Sequence, residues 1–430
     1  MRITIKKGRI VDPAHQRDEI SDLHISDGKI TAIGKTPKGF VPDRVIDAAH
    51  RIVCPGLVDL SARLREPGRG HRASISSETA AAAGAGITTL CCPPDTDPII
   101  DTTAVAELVH QRAALVGKSK VHCIGALTQG LKGETLAGMH ALKNSGCLGV
   151  SNARIPINNT SVLRRALEYA ATCDLTVHLS CEDGFLGADG VVHDGIMAVR
   201  MGLPGIPETA ETIALSRALL LIEQTGACTH FCRISCATSV TMIAQARDKG
   251  LPVTADVGIA YLYLTETDLA NFNSLCHLRP PLRTLRDRDA LRLGITDGVI
   301  DAICSDHQPH DDDAKSAPFG LTEPGASTLD VLLPLSLQLV RDNILDLGQV
   351  IAALTIRPAR IARVDAGHLG IGATADVCII DPERTWTITR NSLSSAGKNS
   401  PFLDWEMSGK VTHTLVDGRI VFEQTVAGDS

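Results

Sequence analysis

Polar side chains of this chain gather where apolar, strand-like runs come to an end. Between 59 and 65 every second residue is polar, and the two-residue repeat of an extended strand puts such side chains on one face. They are Asp59, Ser61, Arg63 and Arg65. The pattern predicts a cluster of charged and hydroxyl groups that points out of an otherwise apolar strand.

Histidine and aspartate end three further apolar runs. The first ends at His178, the second carries His230 and Arg233, and the third ends in the sequence Ser-Asp-His-Gln-Pro-His over 305–310. Imidazole nitrogens and carboxylates that converge at one place are typical ligands of a hydrolytic divalent metal. A single histidine such as His178 is also common as a hydrogen-bonded structural residue, and the pattern leaves both interpretations open.

The cysteines suggest a second, weaker metal hypothesis. Cys232 and Cys236 are four residues apart, but no second pair with ligand spacing accompanies them. The 13 cysteines are odd in number, scattered, and several lie inside apolar runs. This usage favours buried free thiols in a reducing compartment over a disulfide framework.

Composition narrows the class of protein. The 430 residues carry 42 Lys and Arg against 49 Asp and Glu, so the net charge of −7 offers no attraction to nucleic acid or anionic lipid. With 44% hydrophobic and 3% aromatic residues, the chain can bury a large aliphatic core. It has no signal-like N-terminus and no apolar run of the roughly 20 residues that a membrane span needs. We therefore expect a cytoplasmic protein that binds neither nucleic acid nor membrane.

The middle of the chain alternates apolar, strand-like runs with amphipathic helical patterns. Such an alternation indicates a parallel sheet, and eight runs favour a closed (β/α)8 barrel over an open sheet. The eight runs are LVDLSARL, GITTLCCP, KVHCIGAL, CLGVSNA, LTVHLSC, THFCRISC, PVTADVGI and VIDAICSD. Chemistry in such a barrel lies at the carboxyl ends of the strands, where the polar residues described above stand.

The two ends of the chain have a different residue pattern, with short strands of alternating apolar and polar residues and frequent turn signals. This pattern predicts a small β-sandwich domain built from both termini, over 1–53 and 366–430, around a barrel over 54–365. The fold class expected is therefore α/β, a TIM-like barrel with a composite β domain.

Six segments together resemble the dihydroorotases of the amidohydrolase superfamily, in order and over essentially the whole chain. The segments are CPGLVDLSARLREPG, TAAAAGAGITTLCCPPDTDP, VTADVGIAYLYLT, LRPPLR, IDAICSDHQPH and the terminal GRIV. The resemblance implies hydrolysis and formation of the ring amide of dihydroorotate at one or two zinc ions. In that family the zinc ligands are a His-x-His after strand one, an acidic or carboxylated lysine ligand at strand four, single histidines at strands five and six, and an aspartate at strand eight that is also the general base.

Against that family pattern, most metal ligands are missing from this sequence. Ser61 and Arg63 stand at the His-x-His positions, Arg233 stands at the strand-six position, and 149–153 at strand four contain neither lysine nor aspartate. A guanidinium is always protonated in proteins and cannot ligate zinc.

Two remnants of the family's metal site are left, His178 and the general base Asp306. We therefore expect zinc to be absent or substoichiometric. We also predict that Arg63 or Arg233 replaces the lost metal charge by lying within salt-bridge distance of Asp306, because an unpaired buried carboxylate is costly.

The family's substrate contacts are kept only in part. Arg65 matches its carboxylate-binding arginine, and His310 matches the second histidine of its strand-eight motif. Two asparagines of the family are replaced, one by the Pro-Pro-Asp of 93–95 and the other by Arg279. A structural ion pair of Arg65 with Glu66 or another loop acid remains an alternative.

Three hypotheses for function follow from this resemblance. The favoured one is a catalytically inactive homologue, similar to the dihydroorotase-like subunits that bind aspartate transcarbamoylase in some bacteria, serving assembly in pyrimidine biosynthesis as part of a homo-oligomer or hetero-oligomer. The first alternative is an active zinc-poor or mononuclear cyclic amidohydrolase with Asp306 as base. The second is a sensor that binds an orotate-like acid through Arg65 and His310 without chemistry.

Overall fold

The structure is a computed structural model that describes residues 1–424. Residues 425–430, the last six of the predicted segment 366–430, lie outside the described residues. Within the described part, no helix combines the length and the apolar character needed to cross a membrane.

The described chain contains 18 strands and 12 α-helices, besides short 3-10 helices and loops. The strands are β1 (Arg2–Asp12), β2 (Arg17–Ser26), β3 (Lys29–Ile33), β4 (Arg44–Asp47), β5 (Ile52–Pro55), β6 (Leu57–Asp59), β7 (Ile87–Cys92), β8 (Lys120–Ala126), β9 (Gly149–Ser151), β10 (Thr176–Ser180), β11 (Val192–His193), β12 (Gly205–Ile206), β13 (Thr229–Cys232), β14 (Val253–Gly258), β15 (Ala302–Cys304), β16 (Val377–Thr387), β17 (Glu406–Val416) and β18 (Arg419–Glu423). The helices are α1 (Ile75–Gly84), α2 (Thr103–Val116), α3 (Met139–Asn144), α4 (Thr160–Thr172), α5 (Ile196–Met201), α6 (Glu208–Thr225), α7 (Ala237–Asp248), α8 (Leu285–Thr296), α9 (Asp313–Ser316), α10 (Leu329–Arg341), α11 (Leu347–Leu354) and α12 (Ile356–Ala362).

Both ends of the chain contribute strands to a single β domain. Strand β5 pairs in parallel with β1 on one side and antiparallel with β16 on the other, so hydrogen bonds join the N-terminal and C-terminal strands. The resulting eight-stranded sheet runs β18-β17-β16-β5-β1-β2-β3, with β4 paired to β1. The predicted β domain of both termini is confirmed, and its strands form one branched sheet.

The β domain has a core of its own, because alternate residues of its strands face inward. Ile3, Ile5 and Ile10 of β1 are almost fully buried there, together with Val377 and Ile379 of β16. Strand β5 spans the predicted boundary between residues 53 and 54, and the exact domain bounds stay a prediction.

Eight parallel strands form the barrel, in the order β15-β14-β13-β10-β9-β8-β7-β6. Backbone bonds beyond the two outermost strands close the ring, from Arg63 N to His307 O (3.0 Å) and from His307 N to Ser61 O (3.1 Å). Strands buried on both faces are mostly apolar, as the sequence pattern indicated, and the exceptions such as Asp59, His178 and His230 are buried polar residues. The predicted (β/α)8 barrel is confirmed.

The predicted helices are also present between the barrel strands. Gly117 caps the end of α2 and Gly226 that of α6. These glycines have φ values of 63° and 66°, a left-handed conformation that glycine adopts without steric cost. Each helix returns the chain to the start of the next strand. The carboxyl ends of all eight strands therefore meet at one face, which we call the barrel mouth.

Candidate functional site: an arginine cluster at the barrel mouth

The first and last barrel strands are joined at the mouth by Asp59. Its fully buried carboxylate accepts hydrogen bonds from the backbone N–H of Ser305 at 2.9 Å and from the Ser305 hydroxyl. Burial raises the pKa of Asp59, although the hydrogen bonds from Ser305 oppose the rise. Asp59 thus holds strand ends together rather than facing the mouth with Arg63.

Three guanidinium groups surround the carboxylate of Asp306. Oδ2 lies 2.5 Å from Nη2 of Arg154, while Oδ1 lies 3.5 Å from Nε of Arg233 and 3.7 Å from Nη1 of Arg63. The Asp306 side chain is only 10% exposed. The prediction that Arg63 or Arg233 pairs with Asp306 is confirmed, and both of them do.

Arg154 is a member of this cluster that the sequence reasoning missed. It comes just after β9, where Ala153 has a left-handed φ of 53° that turns the chain. With the Gln308 amide oriented so that its oxygen faces Arg154, that oxygen accepts from both terminal nitrogens, at 2.6 and 2.7 Å. The sequence signal for Arg154 is its place just after β9, the fourth barrel strand. The residues considered at that strand, 149–153, end one position before it.

Neighbouring side chains hold the other two arginines. Arg63 Nε lies 2.7 Å from Oδ2 of Asp95, and Arg233 donates to the hydroxyls of Ser61 (3.1 Å) and Ser180 (3.0 Å). Burial raises the pKa of Asp95, but the charge and hydrogen bond of Arg63, together with the charges of Arg154 and Arg65, outweigh burial and lower it. Ser61, at a former ligand position, therefore serves as a hydrogen-bond acceptor.

We call Arg63, Asp95, Arg154, Arg233 and Asp306 the mouth cluster. It contains three cations and two carboxylates. Arg63 donates a hydrogen bond to Asp95 and Arg154 donates one to Asp306, whereas Arg63 and Arg233 contact Asp306 only as ion pairs. Several of its buried polar atoms have no hydrogen-bond partner within residues 1–424: Arg63 Nη1, Arg154 Nε, Arg233 Nε and Asp306 Oδ1. The cavity lined by Arg63 and Asp95 measures only about 10 Å³. A single water needs roughly 10–15 Å³, so this cavity holds at most one.

His178, the predicted remnant ligand of strand five, lies beneath the mouth cluster and is buried. Its Nε2 has no hydrogen-bond partner in the described chain, and its ring meets that of His230 edge-on with centroids 5.3 Å apart. Burial, reinforced by His230, lowers the pKa of His178 to about 3, so the ring is neutral. His230 uses both ring nitrogens, one with Thr254 at 2.9 Å and one with Asp256 at 3.0 Å.

These residues do not fit the zinc site of the resembled family. His178, His230 and Cys232 offer ligand atoms within 4.8 Å of one another, but the nitrogens of His230 are already engaged and burial raises the pKa of the Cys232 thiol. Asp306 faces guanidinium groups, which repel a divalent cation. Cys236 lies apart from this group, with its sulfur 3.3 Å from Glu211, so the hypothetical Cys232 and Cys236 pair is not formed.

The two predicted substrate-binding remnants lie side by side. Arg65 donates from Nε to the Pro309 carbonyl at 2.9 Å, and its Nη2 lies 3.3 Å from Nε2 of His310. No carboxylate oxygen of residues 1–424 lies within 4 Å of Arg65, so the alternative ion pair with Glu66 is not formed. Burial lowers the pKa of Arg65 to about 9 and that of His310 to about 3, with neighbouring arginines adding to both shifts.

A closed parallel barrel, a β domain made from both termini and polar side chains at the strand ends define an amidohydrolase-type fold. Solved structures with this fold include the L-hydantoinase of Arthrobacter aurescens, with a TM-score of 0.88 and 24% identity over 98% of this chain and 96% of that one. A D-hydantoinase matches with a TM-score of 0.83 and 23% identity over 99% and 96%. At these identities the likeness establishes the fold alone.

Sequence relatives define the family more closely. A family model described as dihydro-orotase-like matches residues 50–239. A "Dihydroorotase-like protein" of Pseudomonas putida is 50% identical over 98% of this chain and 99% of its own length, and one of Pseudomonas aeruginosa is 49% identical over 98% and 100%. A "Dihydroorotase" of Syntrophotalea carbinolica is 40% identical over 98% and 99%. The chain belongs to the dihydroorotase-like family.

Proposed function

We propose that this chain is a non-catalytic dihydroorotase-like protein that serves as an assembly subunit for aspartate transcarbamoylase in pyrimidine biosynthesis, in the cytoplasm. The observation that carries the proposal is the set of three arginines on Asp306, at 2.5, 3.5 and 3.7 Å. The residue that would act as general base is held in ion pairs.

The chemistry of ring-amide hydrolysis supports the inactive assignment. Bulk water has a pKa of about 15.7, and enzymes of this kind depend on a metal to lower it to about 7. The mouth cluster presents guanidinium groups where the family places ligands, and Asp306 faces those groups. A chain with this mouth lacks both the Lewis acid and a free base.

An assembly role is consistent with the overall shape that the chain shares with its relatives. Its relatives named dihydroorotases align over nearly their whole length, so the overall shape is retained although the metal-ligand positions differ from the family pattern. A subunit that contributes to a complex through its outer surface needs that shape and does not need a reactive site. The proposed partner is the catalytic subunit of aspartate transcarbamoylase.

Co-expression with the host's aspartate transcarbamoylase tests this proposal. We expect the two chains to co-purify at a defined stoichiometry, with zinc well below one ion per chain and no measurable turnover of dihydroorotate in either direction. An active dihydroorotase purified in parallel is the positive control. One or more tightly held zinc ions per chain, turnover comparable to the control, or failure to form a complex would each overturn the proposal.

A second candidate function rests on Arg65, a buried cation without a carboxylate partner in the described chain. Together with His310 it could bind an orotate-like acid without chemistry, which would make the protein a sensor. A ligand that binds only the folded state at about 100 times its Kd adds roughly 2.7 kcal/mol of stability. A rise in melting temperature with orotate that is lost in Arg65→Gln supports this function, and no rise excludes it.

A further inference from the structure

A long groove runs along the junction between the β domain and helices α10 and α11. It encloses about 1160 Å³, and none of its lining residues belongs to the mouth cluster. This volume exceeds the roughly 300–1,000 Å³ typical of small-molecule pockets. The groove is therefore of a size suited to a segment of polypeptide.

The floor of the groove is apolar. Ile52, Leu337 and Leu345 form its buried part, and Ile344 and Leu347 are half-buried beside them. At the edge, Ile20 of β2 is 78% exposed. Ile20, Ile344 and Leu347 have apolar surface in contact with water, and an apolar side chain of a partner can bury it.

The rim of the groove is basic, in a chain whose net charge is −7. Four cationic side chains line it against two carboxylates: Lys7, Arg9, Arg51 and Arg341 against Asp346 and Glu383. The carboxylate of Asp346 is engaged at the start of α11, where it accepts from Gln349 N at 2.6 Å. Four cations against two carboxylates leave a formal charge of +2 on the lining, so the rim is positive on balance.

Three of the rim cations lack a carboxylate within 4 Å among residues 1–424: Lys7, Arg51 and Arg341. Arg9, by contrast, pairs with Asp18 at 2.7 Å. Arg341 donates only to backbone carbonyls, those of Pro382 at 2.6 Å and Ser408 at 3.1 Å. Carbonyls orient the guanidinium but leave its charge uncompensated, so these cations can pair with acidic groups of a partner.

We propose that this groove binds an acidic segment with apolar anchor residues, supplied by the partner protein of the assembly. This inference rests on the proposed function for the identity of the partner. Carboxylates of the segment pair with the rim and its apolar side chains cover the floor. A nucleic acid fits less well, because its phosphate backbone would satisfy the rim and leave the apolar floor exposed.

The first test reverses the charge of the rim in the full chain. The variant Lys7→Glu with Arg51→Glu is compared with Lys35→Glu and Lys38→Glu, two exposed lysines of the same β domain that lie outside the groove. Affinity for the catalytic subunit of aspartate transcarbamoylase is measured at low and high salt. We expect at least a tenfold loss for the groove variant, no change for the control, and a salt-dependent affinity for the unaltered chain. Unchanged melting temperatures confirm that all variants fold.

A second pair of variants tests the apolar part of the groove. Ile20→Asp places a charge at its edge, and Ile371→Asp places the same charge at a residue that is 70% exposed and does not line the groove. We expect weaker binding for Ile20→Asp only.

The outcomes separate this inference from the proposed function. A complex whose affinity is the same for groove variants and unaltered chain overturns the groove and leaves the assembly role intact. If the unaltered chain forms no complex, the assembly role fails. The groove is then tested separately, with a synthetic peptide of the sequence Glu-Glu-Leu-Asp-Leu-Glu-Glu. Fluorescence anisotropy showing peptide binding that the groove variant weakens tenfold supports the groove. No peptide binding, or groove-dependent binding of a single-stranded oligonucleotide instead, overturns it.

Discussion

Two buried polar clusters lie next to each other in the barrel and differ in how completely their atoms are hydrogen-bonded. Asp306 belongs to the mouth cluster, while the next residue, His307, belongs to a second one that we call the Glu78 cluster: Glu78, His307, Thr328 and Ser395. In the Glu78 cluster, His307 Nδ1 accepts from Thr328 N at 3.1 Å, so its Nε2 donates to Glu78, at 2.6 Å.

The same Glu78 carboxylate binds a distant part of the chain. It accepts from the Ser395 hydroxyl at 2.6 Å and from the Ala396 backbone N–H at 3.0 Å. The cluster therefore ties α1 and the last barrel strand to the segment between β16 and β17. None of its four side chains carries an unpartnered buried polar atom within the described chain.

The difference shows what each cluster contributes. Complete hydrogen bonding at Glu78 indicates a structural tie, since every buried polar group has a partner with good geometry. The mouth cluster holds opposite charges close together but leaves hydrogen-bonding atoms unused. We infer that it compensates the buried charge of Asp306 at the barrel mouth, and that the two clusters respond differently to substitution.

The largest expected effect is at the Glu78 cluster. Glu78→Ala leaves His307, Ser395 and Ala396 without their acceptor, and we expect the free energy of unfolding to fall by about 3–5 kcal/mol, as for other broken buried pairs. Chemical denaturation measures the loss. Glu78→Gln keeps an acceptor oxygen and should cost less. A loss below about 1 kcal/mol for Glu78→Ala would contradict the structural role.

The mouth cluster should respond more weakly and non-additively. We expect Arg154→Ala to cost about 1.5–3 kcal/mol, the range for hydrogen bonds to charged groups, and Arg63→Ala or Arg233→Ala less, since Asp306 keeps its shortest contact. Combining Arg154→Ala with Asp306→Asn should recover part of the loss, by about 0.5–3 kcal/mol relative to additivity. Purely additive losses in this double-mutant cycle would mean that the arginines do not compensate Asp306.

Over the single pH unit from 6 to 5, the effect expected from His178 is smaller, at most about 1.4 kcal/mol. Its folded-state pKa of about 3 lies below the ordinary 6.5, so the unfolded chain binds a proton that the folded chain does not as the pH falls below about 6.5. Its contribution to stability is complete above that pH and is lost toward pH 3, by about 1.4 kcal/mol per pH unit. His310 has a similarly lowered pKa and contributes a slope of the same sign. His178→Leu should therefore reduce the slope between pH 5 and 6 in denaturation experiments by about 1.4 kcal/mol per pH unit without abolishing it, and an unchanged slope would mean that His178 does not contribute.

The last prediction is that restoring two family ligands changes neither zinc content nor activity. Ser61→His combined with Arg63→His restores the strand-one ligands of the family, but Arg154 and Arg233 still occupy the mouth. We expect elemental analysis to find no stoichiometric zinc and assays to find no turnover of dihydroorotate. Tight zinc binding by this variant would mean that Arg154 and Arg233 do not prevent a metal from binding at the mouth. The mouth cluster would then not be a stable set of ion pairs.

Much of this arrangement was predictable from the sequence because it depends on local repeats. The eight barrel runs and the β pattern at both ends reflect which faces are buried, and that information lies within a few neighbouring residues. The pairing of Arg63 and Arg233 with Asp306 was predictable from charge balance at the strand ends. For Arg154 the sequence offers only its place directly after the fourth barrel strand, because no residue repeat marks the left-handed turn at Ala153 that carries it into the mouth.

The residue pattern alone predicts the barrel, the composite β domain, and Ser61, Arg63 and Arg233 at the positions of the expected ligands. The folded structure was needed to show which cation lies closest to Asp306, that Arg65 has His310 rather than Glu66 as its neighbour, and that a basic groove forms where the two domains meet. The first two features join residues far apart in the chain, 152 positions for Arg154 and Asp306 and 245 for Arg65 and His310. Their geometry depends on strand register and loop conformation, because a side chain can contact only what the folded backbone brings within reach.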